Sequence, residues 1–193
     1  MEFFQTIKRK LVNFDRKIYT YSKLGKAYKL GKKAVACRRL HVLNPQKITI
    51  GNNCYFGPDC RIEAWTKYKN KVFDPKIIIG NDVRINSTCH IGAINHLEIG
   101  DCCLLGSHVM IIDHSHGNST KEELTIHPSE RDLFSKGEIV IGDYCWICEN
   151  VVILPGVHIG SGTTIGANAV VTHDIPANCV AAGNPARILK EIR

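Results

Sequence analysis

Residues 141–171 of this 193-residue chain read IGDYCWICENVVILPGVHIGSGTTIGANAVV. Within this stretch an aliphatic residue returns at every sixth position: Ile141, Ile147, Ile153, Ile159, Ile165 and Val171. The same period occurs upstream in three blocks of three, at Ile50, Phe56 and Ile62, at Ile79, Ile85 and Ile91, and at Ile99, Leu105 and Ile111. The chain therefore contains fifteen six-residue units.

A period of six matches neither an α-helix nor a simple amphipathic strand. Six residues suit one short side of a coil, in which a brief strand is followed by a tight turn that Gly, Asn or Asp can make. With three sides to a coil, the first residue of each unit points inward and stacked coils bury continuous aliphatic ladders. The sequence therefore predicts a mainly β protein, a parallel β-helix of about five coils.

Five of the nine cysteines share one position of this repeat, the fourth after the aliphatic residue. They are Cys54, Cys60, Cys89, Cys103 and Cys145. A small buried side chain fits there, so we interpret these thiols as packing residues. Cys145 and Cys148 form a CxxC pair, but no second CxxC completes a metal site. Nine free thiols favour a reducing compartment.

Charge is distributed unevenly along the chain. Residues 1–47 hold 13 Lys and Arg against two acids, whereas residues 48–193 hold 12 against 16. A nucleic-acid-binding fold should be basic in its body, so we expect no nucleic-acid partner. The sequence has no apolar run of 18 residues and no secretory signal pattern, and we expect a cytoplasmic location.

Two insertions interrupt the repeat, at residues 65–78 and again between Ile111 and Ile139. We expect the first to bulge from a corner with its Lys and Tyr side chains solvated, although they could touch a sugar. The second is too long for a fold of short turns unless it is functional. It begins with His114 and His116, which leaves three hypotheses open: a general base, a structural role, or a metal site. For a metal site, the nearby histidines are His90, His96 and His108.

Residues 42–193 resemble the hexapeptide-repeat transferases. The resemblance implies a left-handed parallel β-helix, a homotrimer with active sites between subunits, and acetyl-CoA as co-substrate with no metal. Residues 113–117, DHSHG, look most like the acetyltransferases of capsule, O-antigen and exopolysaccharide clusters, which are similar to the galactoside and maltose acetyltransferases. The γ-type carbonic anhydrases are similar β-helices that bind zinc through His.

The resemblance also implies roles for single residues. His114, at the start of the predicted catalytic loop 114–138, matches the family's general base. Asn86 matches the family's acceptor-holding Asn, and the loop position of His116 predicts a substrate contact.

The predicted cofactor residues follow from two further segments. Trp146, in IGDYCWI, would lie beside the pantetheine arm of acetyl-CoA. Ala167 and Thr172 match the family's final coil, and Arg187 and Lys190 are cations that could meet the phosphates of coenzyme A.

The two ends of the chain complete the prediction. Residues 1–41 form a basic amphipathic helical segment, suited to weak contact with a membrane surface at the inner face of the cell membrane. Residues 174–193 are expected to form an exit strand and a short C-terminal helix. The predicted function is acetyl transfer from acetyl-CoA to a sugar hydroxyl in surface polysaccharide biosynthesis. The alternatives are an antibiotic or amino-sugar N-acetyltransferase and a metal-binding β-helix that transfers nothing.

Overall fold

The computed structural model describes residues 15–192, which form a triangular stack of coils. Three sheets make its three sides, and the chain runs from the first to the second to the third in every coil. All neighbouring strands within these sides are parallel, apart from one antiparallel strand at the C-terminal edge of the second sheet. The predicted parallel β-helix is therefore confirmed.

The strands of each side are as follows. The first sheet contains Lys29–Leu30, Ile48–Ile50, Lys76–Ile79, His96–Ile99, Ile139–Ile141 and His158–Ile159. The second contains Val35–Ala36, Tyr55–Phe56, Arg84–Ile85, Leu104–Leu105, Trp146–Ile147, Thr164–Ile165, Cys179–Ala182 and Arg187–Glu191. The third contains His41–Leu43, Arg61–Ala64, His90–Ala93, Met110–Ile112, Val152–Ile153 and Val170–Val171.

The aliphatic residues of the repeat stack directly on one another. In the first sheet Ile50, Ile79, Ile99, Ile141 and Ile159 pair in register, and each is 2% exposed or less. Equivalent ladders run through the other two sheets. Removing one such side chain leaves a cavity in a continuous core, which costs about 2–5 kcal/mol for Ile to Ala.

The five repeat cysteines are all 1% exposed and unpaired, as the packing interpretation predicts. Each thiol donates to a backbone carbonyl of the next coil, for example Cys60 Sγ to Asn86 O at 2.9 Å. Burial raises the pKa of the Cys54 thiol to about 11, so it stays protonated at neutral pH. The five thiols therefore link neighbouring coils, and the Cys54 thiol is not a thiolate nucleophile.

The N-terminal boundary predicted at residue 41 is wrong. Helix ends at residue 24, and residues 29–43 form a complete first coil whose strands pair with the second. Residues 15–192 thus contain six complete coils, one more than the five predicted. The added coil escaped prediction because two of its three ladder positions, Ala36 and Val42, are small, and the coil lies in Lys-rich sequence.

The helix of residues 15–24 caps the stack. Leu24 is fully buried, Thr20 Oγ1 accepts a hydrogen bond from Ala36 N at 2.9 Å, and Tyr19 Oη accepts one from Leu40 N at 3.0 Å. The cap covers the open end of the ladders, as terminal units of repeat proteins must. The predicted amphipathic positions in residues 1–14 lie outside the described residues.

The predicted C-terminal helix is also wrong. Residues Arg187–Glu191 form a strand that turns back antiparallel on Cys179–Ala182. The segment is too short to form a stable isolated helix, and the unpaired edge of the second sheet offers it a ladder of backbone hydrogen bonds.

Both insertions leave from the same corner, where the third sheet passes to the first. The first spans residues 65–75, since 76–78 already belong to a strand, and contains the hairpin Lys67–Tyr68 with Lys71–Val72. The second spans residues 113–138. Its base is the pair Ser115–His116 with Leu133–Phe134, and its tip holds the 3₁₀ turns Lys121–Thr125 and Pro128–Glu130; a third such turn is Pro45–Lys47.

Candidate active site

His114 is held in place by the buried carboxylate of Asp113. His114 Nδ1 lies 2.9 Å from Asp113 Oδ1, and Asp113 is fully buried while the His114 side chain is 12% exposed. Asp113 also accepts backbone hydrogen bonds from Ile94 N at 2.9 Å and Asn95 N at 2.8 Å. A carboxylate fixed in this way receives the Nδ1–H of His114 and leaves Nε2 with a lone pair, which is the arrangement of a general base.

Asp113 is a candidate site residue that sequence reasoning did not single out. The signal for it was the spacing of eight, instead of six, between Ile91 and Ile99. That irregularity marks the tight corner at residues 94–95, whose two backbone N–H groups need an acceptor. The buried Asp of the following coil supplies it.

His114 opens onto a pocket of about 240 Å³ on the outer face of the third sheet, beneath the two insertions. Aromatic and imidazole side chains make up half of its lining residues. The lining includes Trp65, Tyr68, His90, His114 and His116, with Arg61 and Glu63 on the sheet itself. Aromatic faces beside hydrogen-bonding groups suit a ligand that has both apolar and hydroxyl-bearing surfaces.

The first insertion is docked onto the second, so its Lys and Tyr side chains are not simply solvated. Tyr68 Oη donates to Ser129 O at 2.9 Å, and Lys69 Nζ lies 2.8 Å from Glu130 Oε2. Lys71 Nζ lies 3.0 Å from Asp132 Oδ2. The two insertions, which lack the six-residue repeat, therefore hold each other in place over the pocket.

His116 stands on the loop side of the pocket. Its ring packs edge-on against Tyr68 at 5.4 Å between centroids, and its Nδ1 lies 3.3 Å from Tyr68 Oη. Because the single Tyr68 hydroxyl hydrogen is given to Ser129 O, His116 Nδ1 is the donor in this contact. Among residues 15–192 no carboxylate forms an ion pair or hydrogen bond with the His116 ring, which distinguishes it from His114.

A second buried carboxylate lies on the sheet below His114. Glu63 is 3% exposed and accepts from Arg61 Nη2 at 2.9 Å and from His90 Nε2 at 3.0 Å, while His41 Nε2 lies 3.3 Å away. Burial opposes the charge on Glu63, but the hydrogen bonds from Arg61 and His90 outweigh it and hold the pKa of Glu63 below its usual value. Glu63 is thus a charged carboxylate shared by Arg61, His90 and His41, and sequence reasoning gave no sign of this arrangement.

The three histidines considered as zinc ligands do not come together. His90 bonds Glu63, His96 Nε2 lies 3.4 Å from Glu98 on the first sheet, and His108 meets Thr88 in a turn at 3.0 Å. Among residues 15–192, no group of three or more His, Cys, Asp or Glu side chains is arranged to hold a metal ion.

Most of the predicted cofactor residues share the second sheet or the turn that follows it. Trp146 is 51% exposed. Across the second sheet it pairs with Thr164, which pairs with Val180, which in turn pairs with Lys190. Arg187 pairs with Ala182 in the same sheet.

The other predicted residues occupy the two ends of the third sheet. Ala167 is exposed in the turn that leads into this sheet, and Asn86 is exposed in the equivalent turn three coils earlier. Thr172 lies at the opposite end, the end that carries His114, with its Oγ1 2.8 Å from His173 Nδ1. Within one chain, Asn86 and Ala167 are therefore separated from His114 by the length of the sheet.

Comparison with known proteins agrees with this architecture. The family described as bacterial transferase hexapeptide (six repeats) matches residues 138–173. WbbJ of Escherichia coli K12, assigned to lipopolysaccharide biosynthesis as an O-acetyl transferase, is 36% identical over 78% of this chain and 75% of its own length. Galactoside O-acetyltransferase of the same organism is 32% identical over 80% and 69% of the two chains.

A hexapeptide-repeat acetyltransferase of Vibrio cholerae, solved in complex with acetyl coenzyme A, has the same fold. The superposition has a TM-score of 0.63 at 24% identity and covers 94% of this chain and 78% of that one. The fold is accordingly a left-handed parallel β-helix. The chain belongs to the hexapeptide-repeat acetyltransferase family.

Proposed function

We propose that this protein transfers an acetyl group from acetyl-CoA to a sugar hydroxyl during surface polysaccharide biosynthesis. The observation that carries the proposal is the Asp113–His114 pair at the mouth of the pocket lined by Trp65 and Tyr68. The activities assigned to WbbJ and to the galactoside enzyme support the same reaction class.

In the proposed reaction His114 Nε2 removes the proton from the acceptor hydroxyl as its oxygen attacks the thioester carbon. The new C–O bond forms while the carbonyl electron pair moves to oxygen, and nearby backbone N–H groups stabilise that oxyanion. Collapse breaks the C–S bond, and the proton held on His114 passes to the departing sulfur. Asp113 keeps the ring oriented and stabilises the imidazolium during the step.

The second sheet provides the proposed binding surface for coenzyme A. Trp146 presents an exposed aromatic wall, Ala167 leaves room for a thin pantetheine chain, and Arg187 and Lys190 are exposed cations at the sheet edge. Cations of this kind suit phosphate groups. Thr172 stands at the other end of the third sheet and would contact a cofactor bound along the neighbouring face.

The separation of Asn86 from His114 supports a homotrimer with composite sites. The third-sheet strand His90–Ala93 follows Asn86, whereas His114 comes after Met110–Ile112. A four-residue strand at about 3.3 Å per residue keeps the two ends of the sheet more than about 10 Å apart. Cyclic packing of three chains would bring the Asn86 end of one sheet to the His114 end of the next.

Two measurements test the proposed function. Millimolar acetyl-CoA should raise the melting temperature, since a ligand that binds only the folded state stabilises it, whereas zinc or chelator should have no effect. Coenzyme A release should then accelerate with methyl glycosides, and NMR of the product should place the acetyl group on oxygen. Acetylation confined to amino sugars would instead establish N-transfer, and no response to acetyl-CoA would overturn the proposal.

We propose in addition that the N-terminal end touches an anionic membrane surface, where a lipid-carried glycan would be presented. Ile18, Tyr21 and Tyr28 are 54%, 72% and 79% exposed in a region rich in Lys. Apolar contacts beside basic charge are the pattern of interfacial binding. Between residues 15 and 192 no helix is long and apolar enough to cross a bilayer.

Vesicle sedimentation tests this contact. The full chain should sediment with phosphatidylcholine–phosphatidylglycerol vesicles at low salt and not with phosphatidylcholine alone. Serine at positions 18, 21 and 28 should weaken binding, while Leu124→Ser, an equally exposed change in the loop, should not. Equal sedimentation of the two variants would show that Ile18, Tyr21 and Tyr28 do not form the membrane contact.

A further inference from the structure

The pocket contains a second oriented imidazole, and nothing in the proposed reaction yet uses it. His90 lies in the third sheet one coil before His114 and lines the same pocket. Its Nε2 is 3.0 Å from Glu63 Oε2, so the charged carboxylate takes the Nε2 hydrogen and leaves Nδ1 as the ring nitrogen available to a ligand. The His90 side chain is 26% exposed, so a ligand in the pocket can reach it.

The carboxylate that orients His90 is itself fixed. Arg61 holds both Glu63 oxygens, with Nη2 2.9 Å from Oε1 and 3.0 Å from Oε2, and Nε 3.1 Å from Oε1. Burial lowers the pKa of His90, and the attraction of Glu63 offsets this only in part. His90 is therefore neutral at pH 7 and accepts a hydrogen bond from a hydroxyl group, as a neutral imidazole nitrogen does.

Gly92 leaves a gap between the two imidazoles. A Cβ atom built on Gly92 would lie 3.6 Å from His114 Cε1 and 3.6 Å from His90 Nε2. The two rings thus flank one point on the sheet, and His114 Cε1 and His90 Nε2 are separated by no more than twice that distance. Gly92 has no left-handed backbone conformation that would require glycine, and a methyl group would fit there at ordinary contact distance.

We infer that His90 is a second acceptor-binding residue, which accepts a hydrogen bond from a hydroxyl adjacent to the one that His114 deprotonates. The acceptor is therefore a sugar with two neighbouring hydroxyl groups, seated over Gly92. Arg61 and Glu63 are positioning residues that act through His90. This inference rests on the proposed function and assigns the specificity of that same site.

The test compares an acceptor with its deoxy analogues. The methyl glycoside giving the fastest acetyl transfer is chosen from gluco, galacto, manno and rhamno forms, and its monodeoxy derivatives are then assayed. For the wild type, loss of the hydroxyl adjacent to the acetylated one should lower kcat/KM about tenfold or more, because the site's polar group is left unpaired. In His90→Ala the kcat/KM for the parent glycoside should fall to that for the deoxy analogue. The ratio of the two kcat/KM values should therefore approach one.

His96→Ala is the matched control. His96 is also an outward-facing histidine that pairs with a glutamate two residues away, but it stands on the first sheet outside the pocket. The His96→Ala variant should keep the wild-type ratio of kcat/KM between the parent glycoside and its deoxy analogue. Glu63→Gln should lose discrimination as His90→Ala does, while KM for acetyl-CoA stays unchanged. Gly92→Val should raise the acceptor KM by filling the gap, and Gly92→Ala should raise it less.

The outcomes separate the two claims. If glycosides are acetylated but His90→Ala keeps the wild-type preference for the diol, the assignment of His90 is wrong and the proposed function stands. If no glycoside in the panel accepts acetyl although acetyl-CoA binds, the proposed function fails and the assignment fails with it. A melting temperature within a few degrees of wild type is required of each variant, and Glu63→Gln provides the second route if His90→Ala does not fold.

Discussion

The two ends of the third sheet are built differently. At the end where the chain enters, plain turns repeat from coil to coil, and Asn86 and Ala167 lie in equivalent turns three coils apart. At the end where it leaves, two insertions cross over the sheet, and buried Asp113 and Glu63 replace the regular pattern. The comparison indicates that the repeat builds a scaffold, whereas the candidate general base and its buried carboxylate lie where the repeat is interrupted.

The largest expected effect that sharpens this comparison is that of Asp113→Asn. An amide cannot hold His114 Nδ1–H and both backbone N–H groups, so kcat should fall by about 10²- to 10³-fold, within the range for loss of general-base catalysis. Asp101→Asn is the control, because Asp101 Oδ1 also accepts a backbone hydrogen bond, from Asn81 N at 2.6 Å, but at a plain corner. Steady-state kinetics should show near-normal kcat for the control. Equal losses in both variants would indicate a structural role for Asp113.

Mixing two inactive variants tests whether the two ends of the third sheet, each from a different chain, form one active site. If Asn86 of one chain serves His114 of another, refolding Asn86→Ala with His114→Ala should restore about a quarter of wild-type activity, since one interface in four is intact in random closed trimers. Sedimentation should show that trimers form. Activity that stays at the level of the separate variants would contradict composite sites.

Trp146→Ala tests the proposed cofactor face, away from the insertions. Loss of one aromatic wall should raise KM for acetyl-CoA about tenfold, equivalent to about 1.4 kcal/mol of binding, and leave kcat within about twofold. Tyr144→Ala is the control, since Tyr144 is 70% exposed at a neighbouring turn. A change in the acceptor KM alone would show that Trp146 is not part of the cofactor site.

The smallest effect concerns the brace between the insertions. Lys69→Ala should raise the acceptor KM only about two- to threefold, because exposed ion pairs contribute little and Tyr68 still holds the loop. Glu130→Ala should give the same change, and the double variant should be no worse than either single one. Additive losses would mean that the two side chains act independently of their contact.

The sequence predicted the scaffold better than the site. Six-residue spacing predicted the inward ladders and the buried cysteines, because each position repeats the same packing problem. Asp113 and Glu63 could not be found in this way, since Asn95, which bonds Asp113, and His90, which bonds Glu63, lie in other coils and become neighbours only after the chain is stacked. The first coil and the C-terminal strand were missed because weak local signals were overridden by pairing with an available sheet edge.

The most direct test of the account is acetyl transfer by His114→Ala beside His116→Ala, both measured as product formed from acetyl-CoA and the preferred glycoside. Of these two histidines, His114 has a buried carboxylate on its ring, whereas His116 packs against Tyr68. His114→Ala should lower kcat by about 10²- to 10⁴-fold and His116→Ala by less than about tenfold. An inactive His116 variant beside an active His114 variant would contradict the account.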